Sequence, residues 1–249
     1  MPGPHAPSPA AAFALLAERS ARLGLTLDAA RVAVCERFAA ELIERNTSVN
    51  LTAITDPGDI ADKHFLDSFT AVAARTWEGD ERVVDIGSGA GFPGLALRIA
   101  LPSIRLTCVE SVGKKARFIE EMSGLLGLGD VTVRNERAEG LARVPGVRGT
   151  YDVGTARAVG SLAACAEYLL PLLRTGGEAI VWKGRVEGEL AAARRALAAI
   201  GGELVRVLST EELGVGDALP GRHLVVLRKV RPTPPAYPRP AVEASRRPW

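Results

Sequence analysis

The residues best suited to do chemistry stand in the run Val83-Val84-Asp85-Ile86-Gly87-Ser88-Gly89-Ala90-Gly91-Phe92-Pro93-Gly94, where a β-branched stretch ends in a carboxylate and opens into a glycine-rich turn. Val83, Val84 and Ile86 predict a parallel strand covered on both faces. The glycines allow a sharp turn and let a ligand approach bare backbone. Pro93 suits the first position of a helix, which needs no N–H. Strand, turn and helix start together predict a site for a nucleotide-type cofactor. The dinucleotide fingerprint requires a third glycine at position 92, and this chain has Phe92 there. Gly87-x-Gly89-x-Gly91 behind Asp85 suits instead a cofactor without phosphate and with polar groups for a carboxylate to hold. S-adenosylmethionine fits that description better than NAD. From the turn alone, a dinucleotide site and a merely structural bend both stay open.

In an open parallel sheet, ligands lie beyond the carboxyl ends of the strands, near the switch in strand order. Glu110 ends the second expected strand 25 residues after Asp85, the place of a ribose-binding acid whose two oxygens accept both hydroxyls. Its ordinary alternative is a solvated acid opening the turn Glu110-Ser111-Val112-Gly113. Ala138-Glu139 follow the third strand, where a backbone N–H and a carboxylate can meet an adenine edge. Arg157 ends the fourth strand, placed to hold a carboxylate of the cofactor or a phosphate of the substrate, or else to pair with Asp152 or Asp85. Lys183 ends the fifth, and Gly184 after it would admit a substrate. His64 lies on an apolar-striped helix, where a single histidine packs more often than it catalyses. His223 reads as a strand-edge residue.

These side chains need a sheet and helices to position them. An amphipathic helix begins near Asp28 and runs to Arg45, with apolar residues at Val32, Cys35, Phe38, Ala39, Leu42 and Ile43. Helical spacing resumes from Ile60 to Ala74 after the turn at Asp56-Pro57-Gly58. Strands are then predicted at 83–86, 106–110, 131–134, 151–156 and 178–182, with helices between them at 93–100, 114–126, 162–173 and 186–200. Two last strands, 203–208 and 223–229, lack a helix-length spacer, so one of them should run antiparallel. The result is a seven-stranded mixed sheet.

At 249 residues and 47% hydrophobic, the chain can fill one sizeable α/β core with an added helical segment. No apolar run approaches the ~20 residues of a membrane span. Cys35, Cys108 and Cys165 show no metal-ligand spacing and predict a reducing cytoplasm, with no metal site. The expected divisions are a leader at 1–26, disordered before a helix start, a helical segment at 27–76, a catalytic domain at 77–230 and a basic tail at 231–249. The net charge of +2 is uneven, with seven Arg or Lys against the single acid Glu243 in residues 222–249. Six prolines there predict an extended segment rather than a helix, lying on a surface or touching phosphates.

Taken together, the chain resembles the bacterial 16S rRNA guanine-N7 methyltransferase family, RsmG or GidB. The likeness is carried by Asn50-Leu51-Thr52, by His64 through Ser68, by Asp85 through Gly94, by Glu110-Ser111-x-Gly113-Lys114-Lys115, by Arg137-Ala138-Glu139, by Arg157-Ala158, by Lys183-Gly184, by Arg222 through Val226 and by Tyr237-Pro238-Arg239. It implies an α/β, Rossmann-like class I S-adenosylmethionine-dependent methyltransferase fold, a seven-stranded mostly parallel sheet with N-terminal helices. It also implies cofactor contacts at Gly87, Phe92, Ala138, Glu139 and Arg157, joining Glu110. The expected reaction is methylation at N7 of a specific guanine of 16S rRNA, free or in the small ribosomal subunit, by a monomer that needs no membrane. Because N7 carries no proton, no catalytic acid or base is expected, and Arg157, Lys183 and His64 are candidates for positioning the substrate. One departure stands out: Arg239 is followed by Pro240-Ala241-Val242-Glu243 where the family usually continues with a Lys-Ala-Gly type sequence. The rival readings are a small-molecule methyltransferase and a non-enzymatic RNA-binding factor of ribosome assembly.

Overall fold

The computed structural model describes residues 8–249. The strands are β1 (Arg82–Ile86), β2 (Arg105–Val109), β3 (Val131–Arg134), β4 (Tyr151–Arg157), β5 (Leu173–Lys183), β6 (Gly202–Ser209) and β7 (His223–Lys229). They form one sheet in the order β3-β2-β1-β4-β5-β7-β6. The first five run parallel, and β7 pairs antiparallel with both β5 and β6. The connection from β6 to β7 carries no helix to cross over on, and the chain turns back and inserts β7 between its neighbours. The strand order switches between β1 and β4, which opens a crevice above their carboxyl ends.

Before the sheet lie α1 (Pro9–Arg22), α2 (Ala29–Val49), α3 (Pro57–Ile60), a six-residue π-helical stretch (Ala61–Leu66) and α4 (Asp67–Ala74). Residues 9–22 fall within the expected disordered leader and are helical instead; residues 1–7 lie outside the described residues. The reason is visible in packing. Ser8 caps α1 by accepting from the Ala11 N–H, Pro9 fills the first turn, and Phe13 and Leu16 are buried. Arg19 further ties α1 to the π-helical stretch through both oxygens of Asp62, at 2.7 and 2.8 Å. Asp28 caps α2 as its sequence predicts, accepting from the Arg31 N–H at 2.8 Å.

The crossover helices are α5 (Gly94–Ala100), α6 (Gly113–Leu125), α7 (Ala138–Leu141), α8 (Leu162–Leu169) and α9 (Leu190–Ile200). One core packs the N-terminal helices, α5 and α6 onto the sheet and holds Phe13, Phe38, Phe65, Phe69 and Phe92. The other sits under α8 and α9 and is aliphatic, rich in Leu and Val. The tail departs from its expected course. Its prolines keep it irregular to Pro240, but Ala241–Arg246 then form a short helix, α10.

Candidate active site

The glycine turn is folded around Asp85. Oδ1 of Asp85 accepts from the Thr155 hydroxyl at 2.8 Å, and Oδ2 accepts from the Gly94 N–H at 3.1 Å. The side chain is fully buried, and burial pushes its pKa up to about 6 against the opposing hydrogen bonds of Thr155, Ser88 and Gly94 and the charge of Arg157. Asp85 thus braces the helix start and does not line the crevice, unlike the ligand-holding carboxylate expected from the sequence. Gly94 lets α5 come this close, because a Cβ there would lie 2.8 Å from Asp85 Oδ2 and 3.1 Å from Cys108 Sγ. It fills the close-packing role of the third fingerprint glycine, two positions later than that fingerprint has it.

The turn also uses most of its own donors. Gly91 and Phe92 N–H donate to Ser88 O, Gly94 N–H to Asp85, and Leu95 N–H to Gly91 O; Pro93 has none. The first two N–H groups of α5 are thus turned onto the protein rather than left to cradle a pyrophosphate, the feature on which a dinucleotide site depends. Gly87, with φ of +67°, presents bare backbone to the crevice.

Above the strand ends lie three adjoining cavities. The first, about 350 Å³, is lined by Gly87, Gly89, Phe92, Glu110, Lys115, His64 and Arg157, among others. The second, about 230 Å³, is lined by Gly87, Ser111, Ala138, Glu139 and Tyr168 and meets the first at Gly87 and Val159. The third, about 490 Å³, lies over β4 and β5 and meets the first at Arg157 and Ala158. All six residues expected to contact a cofactor therefore line the first two cavities. Ala158 at the junction has φ of +58°, a left-handed conformation that a non-glycine residue seldom holds.

Glu110 is nearly buried. Its Oε2 accepts from the Gly89 N–H at 2.9 Å and its Oε1 from the Val112 N–H at 2.8 Å, so one carboxylate fixes the two loops that frame the groove. Each oxygen retains a further lone pair. Asn135 holds the Glu110 main chain by donating to its carbonyl at 2.8 Å.

The opposite wall comes from the N-terminal helices. His64 stacks on Phe92, rings 4.7 Å apart, and Phe92 stacks on Phe38 at 4.8 Å. The Arg157 guanidinium reaches His64 Nδ1 at 3.3 Å. An arginine only donates, so Nδ1 is the acceptor, and Nε2–H donates to Thr52 Oγ1 at 2.9 Å. Burial, with the Arg157 and Arg222 charges, pushes the His64 pKa down to about 3. Thr52 is held in turn by Asn46, whose side-chain oxygen accepts the N–H groups of Leu51 and Thr52.

Arg157 pairs neither with Asp152 nor with Asp85. It donates to Asp67 Oδ2 at 2.8 Å and to the Lys63 carbonyl at 3.2 Å. Arg222 meets the same Oδ2 at 2.8 Å. Lys183, in the third cavity, is braced by the Gly160 carbonyl at 2.9 Å and by Glu189 at 2.8 Å. His223 starts β7 and bonds the Gly184 carbonyl through Nδ1. Two residues of this wall, Asp67 and Trp182, have no role expected from the sequence, and Arg222 is expected only as a cation of the basic C-terminal segment. The one signal for Asp67 was its place three residues after His64, on the same helical face. The three thiols are buried, with pKa values raised mainly by that burial, so none is a nucleophile.

Sheet order, glycine turn and crevice define a class I S-adenosylmethionine-dependent methyltransferase fold. It is similar, at TM-scores of 0.54 and 0.53, to a chain of the complex of the Haloferax volcanii Trm112 methyltransferase activator with a methyltransferase and to the [4+2]-cyclase SpnF. Those likenesses, at 15% and 18% identity, cover 77% and 81% of this chain and 98% and 96% of the other two. By sequence, residues 31–218 match GidB, the rRNA small subunit methyltransferase G family, and the chain belongs to that family. It is 48% identical over 228 residues to ribosomal RNA small subunit methyltransferase G of Roseiflexus castenholzii, covering 90% of this chain and 94% of the relative. The Dehalococcoides mccartyi (strain CBDB1) protein of the same name is 43% identical over 87% of this chain and 91% of its own length.

Proposed function

We propose that the chain transfers a methyl group from S-adenosylmethionine to N7 of a guanine in 16S rRNA. The observation that carries this is the glycine turn with the first two helix N–H groups already bonded within the protein, beside a groove that offers the carboxylates of Glu110 and Glu139. That donor set suits an adenosine without phosphates. Glu110 would hold the ribose hydroxyls, Ala138 and Glu139 the adenine edge, Gly87 and Phe92 the floor and Arg157 the methionine end. When bound, S-adenosylmethionine supplies an electrophilic methyl group on a sulfonium.

The protein's own task is then positional. The N7 lone pair needs no base to free it, so the rate comes from holding N7 in line and within about 3 to 3.5 Å of the methyl carbon. His64 suits that task. It is neutral and has both nitrogens engaged, so it fixes Arg157 and the Phe92 ring rather than moving a proton. The third cavity supplies a place for the base beside the cofactor groove. A guanine inside an RNA helix presents N7 to a deep, narrow groove, so the target must be unstacked or looped to enter. Exposed Lys114 and Arg117, with half-buried Lys115 and Lys63, stand near to meet phosphates.

The test is transfer of labelled methyl from S-adenosylmethionine to 16S rRNA and to 30S particles, with titration of the cofactor alone. Label enters the RNA, and Glu110→Ala weakens cofactor affinity about tenfold or more, the loss from a buried acceptor of two hydrogen bonds. Label appearing only in protein or small molecules contradicts the reading, as does unchanged affinity in E110A.

A further inference from the structure

The third cavity contains an anomaly. Asp67 lines it with a fully buried side chain whose Oδ2 is gripped by two guanidinium groups, while its Oδ1 has no hydrogen-bond partner. Buried carboxylate oxygens are nearly always satisfied, and an orphan costs stability unless something is gained by it. The surroundings hold it firmly in place. Trp182 Nε1–H donates to the Asp67 carbonyl at 2.7 Å, and the Thr70 hydroxyl donates to that same carbonyl at 2.5 Å. Asp67 also opens α4 directly after the π-helical stretch, a departure from α-geometry that is frequent at functional sites.

The geometry points to Asp67 as the residue that reads the target base. This rests on the proposed methyl transfer to guanine, and it names what selects that base. The Watson–Crick edge of guanine presents two donors, N1–H and the 2-amino group, beside the acceptor O6. Once Arg222 swings aside, Asp67 Oδ1, buried and unpartnered as the site stands, accepts from the 2-amino group, and the guanidinium groups next to it supply donors for O6. Adenine presents the reverse, an N1 lone pair toward the carboxylate, and is repelled. Of the two arginines, Arg222 is the more exposed, at 34% against 15%, so it is the one free to move from Asp67 toward the entering base. A guanine held by this edge keeps N7 unbonded, and the cavity joins the cofactor groove at Arg157 and Ala158. Asp67 therefore sets specificity, while Arg157 belongs to both cavities and links base recognition to the cofactor.

The experiment compares rRNA carrying guanosine at the target with the same rRNA carrying inosine there, which lacks the 2-amino group. Wild type should lose about tenfold or more in kcat/KM on inosine, the loss expected when a site built for a hydrogen bond meets a substrate lacking it. Asp67→Asn, which keeps the shape, should bind S-adenosylmethionine within about threefold of wild type, lose a similar factor on guanosine, and treat the two RNAs nearly alike. Equal rates of wild type on both RNAs overturn the assignment, and so does a D67N protein that keeps the full discrimination. If D67N no longer binds S-adenosylmethionine, the wild-type ratio alone decides. Failure of the underlying reading is a separate result, since wild type then puts no methyl on the guanosine RNA.

Discussion

His64 Nδ1 accepts from Arg157 and Nε2 donates to Thr52, and protonation would break the first bond and set two cations face to face. Its pKa near 3 follows from burial beside Arg157, so the ring stays neutral across the working range. We expect kcat/KM to show no inflection between pH 6 and 8 that belongs to His64. His64→Gln should keep the shape of the profile and lose far less than the 10²–10⁴ that removal of a general base costs. An inflection near 6.5 that vanishes in H64Q would contradict this. Residues at this scale were legible when the strand that carries them was. Glu110, Arg157 and Lys183 announce themselves as polar ends of apolar runs. Asp67 does not, because its role depends on guanidinium groups at the ends of two distant strands and on one missing hydrogen bond.

The β1–turn–α5 unit was readable as an element but not in its internal wiring. Glycine spacing predicts a tight turn but not that the carboxylate behind it faces the helix rather than the ligand, since that depends on Thr155 of a strand distant in sequence. Asp85 makes that wiring sensitive to pH. Its folded pKa, about 6, stands above its ordinary 3.8, so the folded state holds the proton more tightly than the unfolded chain. The stability this lends is complete below about pH 4 and is lost as pH rises through 6. Between pH 4 and 7.5, wild type should therefore lose about 3 kcal/mol relative to Asp85→Asn, from a shift of about two units. Urea unfolding of both proteins at the two pH values measures it, and a constant difference would refute it. Helix α1 was missed for another reason. Its alanines carry no charge pattern to mark a face, yet alanine is the strongest helix former, and the buried Phe13 and Leu16 supply the docking.

At the scale of the molecule, the seven-stranded mixed sheet and an antiparallel strand among its last two follow from spacer lengths and were legible, but the strand order, the insertion of β7 between β5 and β6, and the path of the tail were not. Its prolines and cations predict an extended segment lying on a surface or touching phosphates, and part of the cations are committed within the fold. Arg239 grips buried Glu167 on α8 through Nε at 2.9 Å and Nη2 at 2.7 Å, and Trp249 Nε1 donates to the same carboxylate. Arg148 adds bonds to the carbonyls of Thr233, Pro234 and Tyr237. Proline content reports local stiffness and says nothing of such a distant anchor. Glu167→Ala leaves Arg239 without its partner, so we expect a loss of roughly 3 kcal/mol in urea unfolding and proteolytic cleavage within 232–249. Unchanged stability and an intact tail would show that the strap is not held there. Arg246 and Arg247 remain exposed. The tail is thus anchored on α8, whose Tyr168 lines the second cavity, with these two cations left in solvent. All of these parts converge on one claim, that the two adjoining sites bring a methyl donor to N7 of a guanine. The most direct measurement is base mapping of 16S rRNA after incubation with the protein and S-adenosylmethionine, by reduction and strand cleavage selective for 7-methylguanosine. Cleavage at a single guanine, absent without cofactor, is the expected result; cleavage nowhere, or methyl groups found on another atom or another base, would contradict methyl transfer to guanine N7.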